Sequence, residues 1–482
     1  MHAKNLAYPW PEDSSVFCGE LDEQYSPENQ PVFKLPYYLI PESKADYCAA
    51  SSITKKTSAH ISAYIDGQKF YKLFVHPAAQ DYYARLEQDG CSLIDAEKSE
   101  YLATPTSSYR SLFVWNPRAI EEGVFIAKLS ISKVIFAEVR INDRPQIYNS
   151  IAVQHLFDAI GAEQLAANGI TYFPEVAGLL PKHDDLGGQI IREIPAQAWQ
   201  GTNQWIPFQA LVSDQEFLLA KIIKASQLSA EEFVRTYLIT AFLNTIKILN
   251  FQYGIVPFMP HLQNLSLEVD NDFMPTGRFV FRDFSGTNFD ISVLMRSGID
   301  LHNHANIPAS SLNYQDSGAY VPQIFYVYRE LLLRPLMAQL IKYENNFNET
   351  IANLLLEELK STYIVIVKQQ TGAILLDNEI ETTEPFPAIR HKLLESGQAL
   401  AWTASQSLEV GEMITLTAMM KQRLQENIRN KLWHDFGNRL PEELHTDLDL
   451  EVFFDYYQFY QAGQVIFARN KDNAIIGFTL II

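Results

Sequence analysis

Hydrophobic and polar residues alternate over long runs between residues 101 and 144, which is the pattern of half-buried antiparallel strands. Shorter runs of the same kind lie between residues 61 and 75, where Asp66-Gly67 is a typical hairpin turn. A short amphipathic helix is expected after His76-Pro77 and a longer one over residues 148–168. The first half of the chain therefore predicts a sheet with a few accompanying helices.

The clearest helix covers residues 230–253, where apolar residues recur at spacings of three and four. Ser229 and Glu232 have the spacing of a capping box at its start, and Gly254 stands where a helix typically ends.

The pattern then changes to alternation over residues 264–270 and 278–283, which predicts a β-hairpin. Beyond residue 320 the chain is mainly helical, and residues 474–482 form an expected last strand. The whole pattern predicts an α+β fold with a β-rich middle and a largely helical C-terminal part.

Composition narrows the class of protein. The chain has 482 residues, a formal charge of −19, 47% hydrophobic and 20% charged residues, so it can build a core and is not a disordered chain. Such an acidic chain binds phosphate backbones poorly, so nucleic acid is not expected as its partner. A local basic pocket for a small anion remains compatible with this charge.

The cysteine content and the hydropathy of the chain indicate the cellular compartment in which the protein is expected. The three cysteines, Cys18, Cys48 and Cys91, are too few and too far apart for a disulfide framework, which favours free thiols in a reducing compartment. No secretory signal is recognisable at the N-terminus, and the most apolar stretch, 237–251, is too short and too polar for a bilayer. A cytoplasmic protein without a membrane partner is expected.

One candidate site combines His261, Gln263 and Asn264 with Asp283. The first three residues precede the first strand of the predicted hairpin and Asp283 follows the second, so all four should converge. An imidazole, two amides and a carboxylate suit a nucleotide and a divalent cation. The alternative is a capped hairpin with one surface salt bridge.

A second candidate site contains Ser108, Arg110 and Ser111, followed by Lys128 and Arg140. Lys128 and Arg140 are 12 residues apart, in segments that could be paired strands. Their cations could bind a polyphosphate, although a solvated strand face explains the pattern equally well.

Arg192 and Glu193 follow an apolar run, and they form either a buried pair or part of a site.

The order of the motifs resembles that of the IucA/IucC family, the NRPS-independent siderophore synthetases. The motifs are H-P at 76–77, S-x-R-S at 108–111, Lys128 with Arg140, I-I-R-E at 190–193, H-x-Q-N at 261–264 and R-D-F-x-G at 282–286. The family implies a cupped-hand fold with thumb, fingers and palm. On this chain it implies a short thumb-like region at 1–75, a fingers-like domain at 76–205 and a palm-like domain at 206–482.

The family also implies a reaction. ATP with Mg²⁺ adenylates a carboxylate, and an amine or alcohol then attacks the acyl adenylate and releases AMP. The expected partners are therefore small-molecule acids and amines or alcohols. Dimers are common among proteins that resemble the family, so a homodimer is one of the states to expect.

The resemblance implies a role for each matching residue. Ser108, Arg110 and Ser111 match contacts to the nucleotide phosphates, and Lys128 matches the phosphate lysine. Arg140 matches the arginine between ATP and the substrate carboxylate. The residues that match the phosphate and magnesium side are His261, Gln263, Asn264 and Asp283, with Asn264 and Asp283 as the metal ligands and Arg140, His261 and Lys128 as the catalytic group.

The chain also departs from the family pattern. The family's H-P-W-Q continues here as Ala78 and Ala79, and its Thr-[Asn/Ser] pair is replaced by Phe136 and Ala137. Its glutamate before the histidine is Met259, a late lysine is Thr417, and the N-terminal H-P-x-H-P-x-x-K-x-R motif is absent. Phe and Ala side chains cannot hydrogen-bond a tricarboxylate, so we expect an acid other than citrate.

Two other classes of function remain open. The segment around His261 and Asp283-Phe284-Ser285-Gly286 resembles a kinase catalytic loop, although no Gly-rich loop accompanies it. The substitutions at Ala78, Ala79 and Met259 are compatible with a non-catalytic homologue that acts as a binding subunit.

Overall fold

The structure is a computed structural model. The part of the chain that it describes comprises residues 22–119, 123–135, 138–183, 185–195, 201, 203–212, 218–257, 260–290, 293–294, 324–371, 412–414, 458–462, 465–469 and 475–477. The chain forms two compact units, one of residues Met1–Tyr314 and Val327–Leu356 and one of residues Gln315–Tyr326 and Glu357–Ile482.

The described residues of the first unit contain nineteen strands. They are β1 (Phe33–Lys34), β2 (Tyr37–Pro41), β3 (Ala45–Ala49), β4 (Ser62–Ile65), β5 (Gln68–Phe74), β6 (Ser92–Ile94), β7 (Leu102–Pro105), β8 (Ser111–Trp115), β9 (Val124–Lys128), β10 (Ile131–Ile135), β11 (Glu138–Arg140), β12 (Ile170–Tyr172), β13 (Glu175–Pro181), β14 (Gln189–Glu193), β15 (Asn203–Pro207), β16 (Ile255–Val256), β17 (Leu265–Asp270), β18 (Pro275–Phe281) and β19 (Asn288–Phe289).

Seven of these strands form one antiparallel sheet in the order β1-β7-β8-β9-β14-β13-β3. A second antiparallel sheet has the order β4-β5-β2-β6, and its β4–β5 turn is the predicted Asp66-Gly67, with φ of 51° and 78°. The apolar faces of the two sheets share one core, which contains Tyr37, Phe74 and Phe125. The predicted β-rich middle is therefore confirmed.

A single carboxamide joins the backbones of these two sheets. Gln189 of β14 is buried, and its Oε1 accepts from the backbone N–H of Phe74 in β5 at 2.8 Å. Its Nε2 donates to the backbone carbonyl of Lys72 at 2.7 Å. The side chain thus pairs with β5 much as a neighbouring strand would.

The other face of the seven-stranded sheet is covered by the helix Arg144–Ile160. Asp143 caps its start by accepting from the backbone N–H of Gln146, and Gly161, with φ of 94°, ends it. The predicted helix 148–168 is therefore two helices, because Gly161 separates Arg144–Ile160 from Ala162–Ala167.

A third sheet carries the predicted hairpin. β17 and β18 pair antiparallel in the order β12-β18-β17-β15. The helix that precedes the hairpin begins at Ala230 with the predicted capping box of Ser229 and Glu232, both of whose hydrogen bonds are present. Gly254, with φ of 67°, follows it.

The other helical segments among the described residues are Glu23–Tyr25, Pro27–Asn29, Glu42–Lys44, Lys55–Ile61, Pro77–Ala79, Gln80–Tyr83, Arg85–Gln88, Phe208–Leu211, Leu218–Ser226, Ala230–Phe233, Val234–Thr240, Ala241–Ile246, Lys247–Gln252, Arg329–Leu333, Arg334–Tyr343 and Glu349–Thr371. The last of these belongs to the second unit from residue 357 on.

The second unit contains a four-stranded antiparallel sheet of β20 (Glu412–Ile414), β21 (Gln458–Ala462), β22 (Val465–Arg469) and β23 (Ile475–Gly477). β23 falls within the predicted last strand. Helices and sheets together confirm the α+β class. Among the described residues, every helix is too short or too polar to cross a membrane.

Candidate active site

An ion pair joins the end of β9 to the turn after β18. Lys128 Nζ lies 2.5 Å from Asp283 Oδ1 and 2.8 Å from Ser285 Oγ. Ser285 Oγ also donates to Asp283 Oδ1 at 2.8 Å, which closes a three-membered network. Asp283 has φ of 68°, a left-handed conformation that Asp tolerates better than most residues, and this turns its carboxylate towards Lys128.

A second buried ion pair lies beside the first. Glu175 of β13 and Arg192 of β14 face each other in the strand register, and Glu175 Oε1 is 2.7 Å from both Arg192 Nε and Nη2. Arg192 Nη2 is also 3.7 Å from Asp283 Oδ1, while Glu175 Oε2 accepts from the Phe284 N–H at 3.3 Å. From the sequence, Arg192 and Glu193 form either a buried pair or part of a site. In the structure the buried partner of Arg192 is Glu175.

Arg110 ties the loop after β7 to the end of β11. Its Nη1 donates to the carbonyl of Leu129 at 3.3 Å, to that of Arg140 at 3.1 Å and to Asn142 Oδ1 at 2.9 Å. Asn142 Nδ2 donates in turn to the carbonyl of Lys128 at 3.0 Å. Arg110, Lys128 and Arg140 are therefore held in one neighbourhood.

The hairpin residues meet the same loop. Arg282 Nη2 donates to Ser107 Oγ at 2.8 Å, and Gln263 Nε2 donates to the Ser107 carbonyl at 3.1 Å. The two predicted candidate sites are thus one site, with the S-x-R loop on one side and the hairpin ends on the other.

His261 is buried within this site. Its Nδ1 accepts from the backbone N–H of Gln263 at 3.2 Å. Burial, together with the positive charges of Arg282 and Arg140, lowers the pKa of His261 to about 3 against the opposing effect of Asp283. The ring is therefore neutral near pH 7, and because Nδ1 accepts, its proton is on Nε2.

The cations of the site shift each other's pKa values. Burial lowers the pKa of Lys128 to about 8, with Asp283 opposing the shift and Arg110 and Arg192 adding to it. Burial likewise lowers the pKa of Arg282 to about 10, together with the charge of Arg192. Lys128, Arg110 and Arg192 hold the pKa of Asp283 well below its usual range against the effect of burial. Such a set of cations suits a polyanion.

The loop after β18 is clamped from the helix Arg144–Ile160. Asn149 Nδ2 donates to the carbonyls of Phe284, Ser285 and Thr287, at 3.3, 3.2 and 2.5 Å. His76 supports the opposite loop, since its ring packs 4.8 Å from that of Tyr109, the neighbour of Arg110. His76 also caps the short turn Pro77–Ala79 that contains the two alanines.

The remaining predicted residues have mainly backbone contacts among the described part of the chain. The Ser108 N–H donates to Thr106 Oγ1 at 3.2 Å, and Ser111 pairs with Lys128 across β8 and β9. The Asn264 N–H donates to the His261 carbonyl at 3.0 Å, and its own carbonyl accepts from the Arg282 N–H at 3.1 Å.

One prediction is wrong. Lys128 and Arg140 are not on paired strands, because β9 pairs with β8 and β14 in the seven-stranded sheet, whereas β11 pairs with β10 and with no other described strand. The alternation continues through Leu129 and Ser130, so the sequence gives no sign that the chain changes sheets there. Phe136, Ala137, Met259 and Thr417 lie outside the described residues.

The donor set is compatible with a divalent cation at Asp283. All its contacts among the described residues use Oδ1, and its side chain is 29% exposed, so Oδ2 is available to a cation. No group of three or more His, Cys, Asp or Glu side chains arranged for a metal occurs in the described part. A cation here would therefore rely on Asp283, an amide oxygen and oxygens of a bound ligand, as Mg²⁺ commonly does.

Sequence reasoning missed the residues that hold the site in place, namely Glu175, Asn142 and Asn149. Each acts across a long sequence separation, and an isolated Asn or Glu in an apolar segment is the only sign of it. A polar residue within a helix face that otherwise predicts core, as at Asn149, is the signal that could have been followed.

Comparisons with known proteins bear on the family resemblance and on the fold. Residues 17–213 match the model of the IucA / IucC family, so the predicted resemblance is confirmed over that part of the chain. No match is found among the curated proteins.

Several solved structures share the fold. Aerobactin synthetase IucC from a hypervirulent pathotype of Klebsiella pneumoniae is 19% identical with a TM-score of 0.55, and the match covers 76% of this chain and 67% of IucC. ATP-bound aerobactin synthetase IucA from the same pathotype is 15% identical with a TM-score of 0.53, covering 75% and 67%.

The petrobactin biosynthesis protein AsbB from Bacillus anthracis str. Sterne is 15% identical with a TM-score of 0.53, covering 75% of this chain and 65% of AsbB. The fold is therefore that of these two aerobactin synthetases and of AsbB.

Proposed function

We propose that the chain is an ATP-dependent ligase of siderophore or related metabolite biosynthesis, which joins a carboxylic acid to an amine or alcohol. The observation that carries the proposal is the convergence of Lys128, Arg110 and Arg282 with the neutral His261. The match of residues 17–213 to the IucA / IucC family and the ATP-bound state of the similar IucA structure support it.

In the proposed reaction a carboxylate oxygen of the acid attacks the α-phosphorus of ATP. A bond between that oxygen and phosphorus forms, and pyrophosphate leaves with the bonding electron pair. The amine or hydroxyl then attacks the acyl carbon, AMP leaves, and the nucleophile loses one proton. Both steps move negative charge on phosphate oxygens, which fixed cations stabilise.

The position of each residue in the site would set its role in this reaction. Lys128 and Arg110 would balance the phosphate charge, and His261 would donate from Nε2 to a phosphate oxygen. Arg140 would lie between the nucleotide and the acid. Asp283 and Asn264 would hold Mg²⁺, which neutralises phosphate charge when bound.

The acid is proposed to be other than citrate. This rests on Phe136 and Ala137, whose side chains cannot hydrogen-bond a tricarboxylate, and on Thr417, which stands where the family has a lysine. An acid with fewer carboxylates needs fewer hydrogen-bond donors and cations around it.

The test is pyrophosphate–ATP exchange with Mg²⁺ and a panel of carboxylic acids that includes citrate. Lys128→Met should lower exchange by about 100-fold or more, because removal of one donor to developing charge typically costs that much. Lys98→Met, at an exposed lysine paired with Asp95, is the matched control and should keep the wild-type rate.

The products separate the competing classes of function. AMP and pyrophosphate support the ligase, whereas ADP from folded protein would indicate a phosphotransferase. Folded protein that binds no ATP and exchanges with no acid would contradict the proposal and favour a non-catalytic role.

A further inference from the structure

The ion pair of Lys128 and Asp283 creates a difficulty for any anion that binds Lys128. Lys128 Nζ contacts Asp283 Oδ1 at 2.5 Å, and a bound phosphate would compete for the same ammonium. The Asp283 side chain is only 29% exposed, so a carboxylate left there without a counter-ion would lose part of its hydration without compensation. A second cation near Asp283 would remove that cost.

Arg192 is in the right position to supply this charge. Its Nη2 is 3.7 Å from Asp283 Oδ1 and its side chain is only 2% exposed. Although Nη2 lies 2.7 Å from Glu175 Oε1, it makes no hydrogen bond of normal geometry to any residue that the structure describes, while Nε of the same guanidinium does. Within the described part of the chain, one donor group of Arg192 therefore lies beside Asp283 without a hydrogen-bond acceptor.

Glu175 fixes Arg192 and the Asp283 turn at the same time. Its Oε1 binds Arg192 and its Oε2 accepts from the Phe284 N–H, directly after Asp283 in the chain. Glu175 and Arg192 are opposite each other on β13 and β14, so the sheet register sets their geometry.

We infer that Arg192 is the second counter-ion of Asp283, held in place by Glu175, and that it balances this carboxylate when Lys128 turns to a bound polyphosphate. Glu175 and Arg192 are thus positioning residues of the site. The inference rests on the proposed function, because it requires a nucleotide that engages Lys128.

A counter-ion role of Arg192 differs from a merely structural role because it depends on Mg²⁺. When Mg²⁺ is present, the cation can balance Asp283 as well, and Arg192 matters less. When Mg²⁺ is chelated, Arg192 is the remaining counter-ion. The loss of the Glu175–Arg192 pair should therefore make ATP binding much more dependent on Mg²⁺.

The experiment is calorimetric titration of ATP into the full chain, once with Mg²⁺ and once with EDTA. The test variant is E175Q/R192Q, which removes both charges together so that neither is left buried and unpaired. The ratio of the two Kd values, without and with Mg²⁺, should rise by about tenfold or more over the wild type, the size typical of a strong coupling between two sites.

The matched control is E268Q/R278Q. Glu268 and Arg278 form an ion pair of 2.9 Å between β17 and β18, and the Glu268 side chain is buried as Glu175 is. This variant should keep the wild-type ratio. R192K is the second test variant, because it keeps a charge for Glu175 while its single ammonium lacks the fork that reaches both carboxylates. It should raise the ratio in the same direction.

The outcomes are separable. Wild-type binding with an unchanged ratio in folded E175Q/R192Q or in R192K overturns the inference and leaves the proposed function standing. An equal rise in the control overturns it too, because any lost ion pair would then suffice. Wild-type protein that binds no ATP in either condition contradicts the proposed function, and the inference falls with it.

Discussion

Single buried side chains in this chain carry unusual protonation behaviour, and His76 is a clear case away from the charged site. Its ring is packed among Tyr109, Tyr25 and Phe33. Burial lowers the pKa of His76 to about 3, from an ordinary value of 6.5. The folded chain therefore keeps His76 neutral at pH values where the unfolded chain protonates it.

The sign of the resulting pH dependence follows from proton counts. Between about pH 6.5 and 3 the unfolded state binds more protons, so the free energy of unfolding rises with pH and is lost as pH falls. His76→Phe should reduce the slope of the unfolding free energy below pH 6.5 by up to about 1.4 kcal/mol per pH unit. Urea unfolding at several pH values measures this slope of the unfolding free energy against pH.

His261 has a similarly lowered pKa, so the variant should keep part of the wild-type slope. A slope that His76→Phe leaves unchanged would show that the folded chain does protonate His76. The variant also loses the cap on Pro77–Ala79, which lowers stability at every pH but leaves the slope unaffected.

At the scale of elements, the helix Arg144–Ile160 approaches β13 closely. A Cβ added at Gly178 would overlap with Ile147 Cγ2 and lie 3.2 Å from Cys48 Sγ. Glycine is therefore required here by close approach of the helix. The same helix carries Asn149, so its distance from the sheet also sets the loop at residues 284–287.

Gly178→Ala should lower the free energy of unfolding by about 1–3 kcal/mol, because overpacking forces the helix away from the sheet. Ile147→Ala removes the opposing methyl group. The double variant should lose less stability than the sum of the two single variants, and a thermal-unfolding cycle measures the difference. Strict additivity would show that the helix shifts freely and that the contact is not tight.

Elements with a clear change of period were predictable from the sequence, as the hairpin β17–β18 and the helix before it show. The strand partners were not. The pattern around Leu129 and Ser130 alternates without a break where the chain leaves one sheet for another. Likewise the choice of Glu175 over Glu193 for Arg192 depends on strand register, which residue types alone do not fix.

At the scale of the whole molecule, a cationic site lies within a chain of formal charge −19. A polyphosphate approaching from a distance meets the net negative charge first and the cations only at close range. The Debye length shortens from about 30 Å at 0.01 M salt to about 10 Å at 0.1 M, so salt screens the long-range repulsion more than the buried contacts.

The association rate constant of ATP should therefore rise between these two salt concentrations, whereas the rate for uncharged adenosine should stay constant. Stopped-flow fluorescence with an ATP analogue measures the association rate constant at the two salt concentrations. A rate that falls steeply with salt would show that the local cations, and not the net charge, govern the approach.

The hydrogen bond between the Gln189 carboxamide and the Phe74 amide makes the contact between the two sheets measurable by hydrogen exchange. Phe74 lies beyond the last residue of β5 that pairs with β4, and among the described residues its N–H donates to Gln189 Oε1. Its exchange with deuterium therefore requires that the sheets separate at this point, without any unpairing of β5 from β2. The deuteration rate of the Phe74 amide therefore measures how often the two sheets separate at this point.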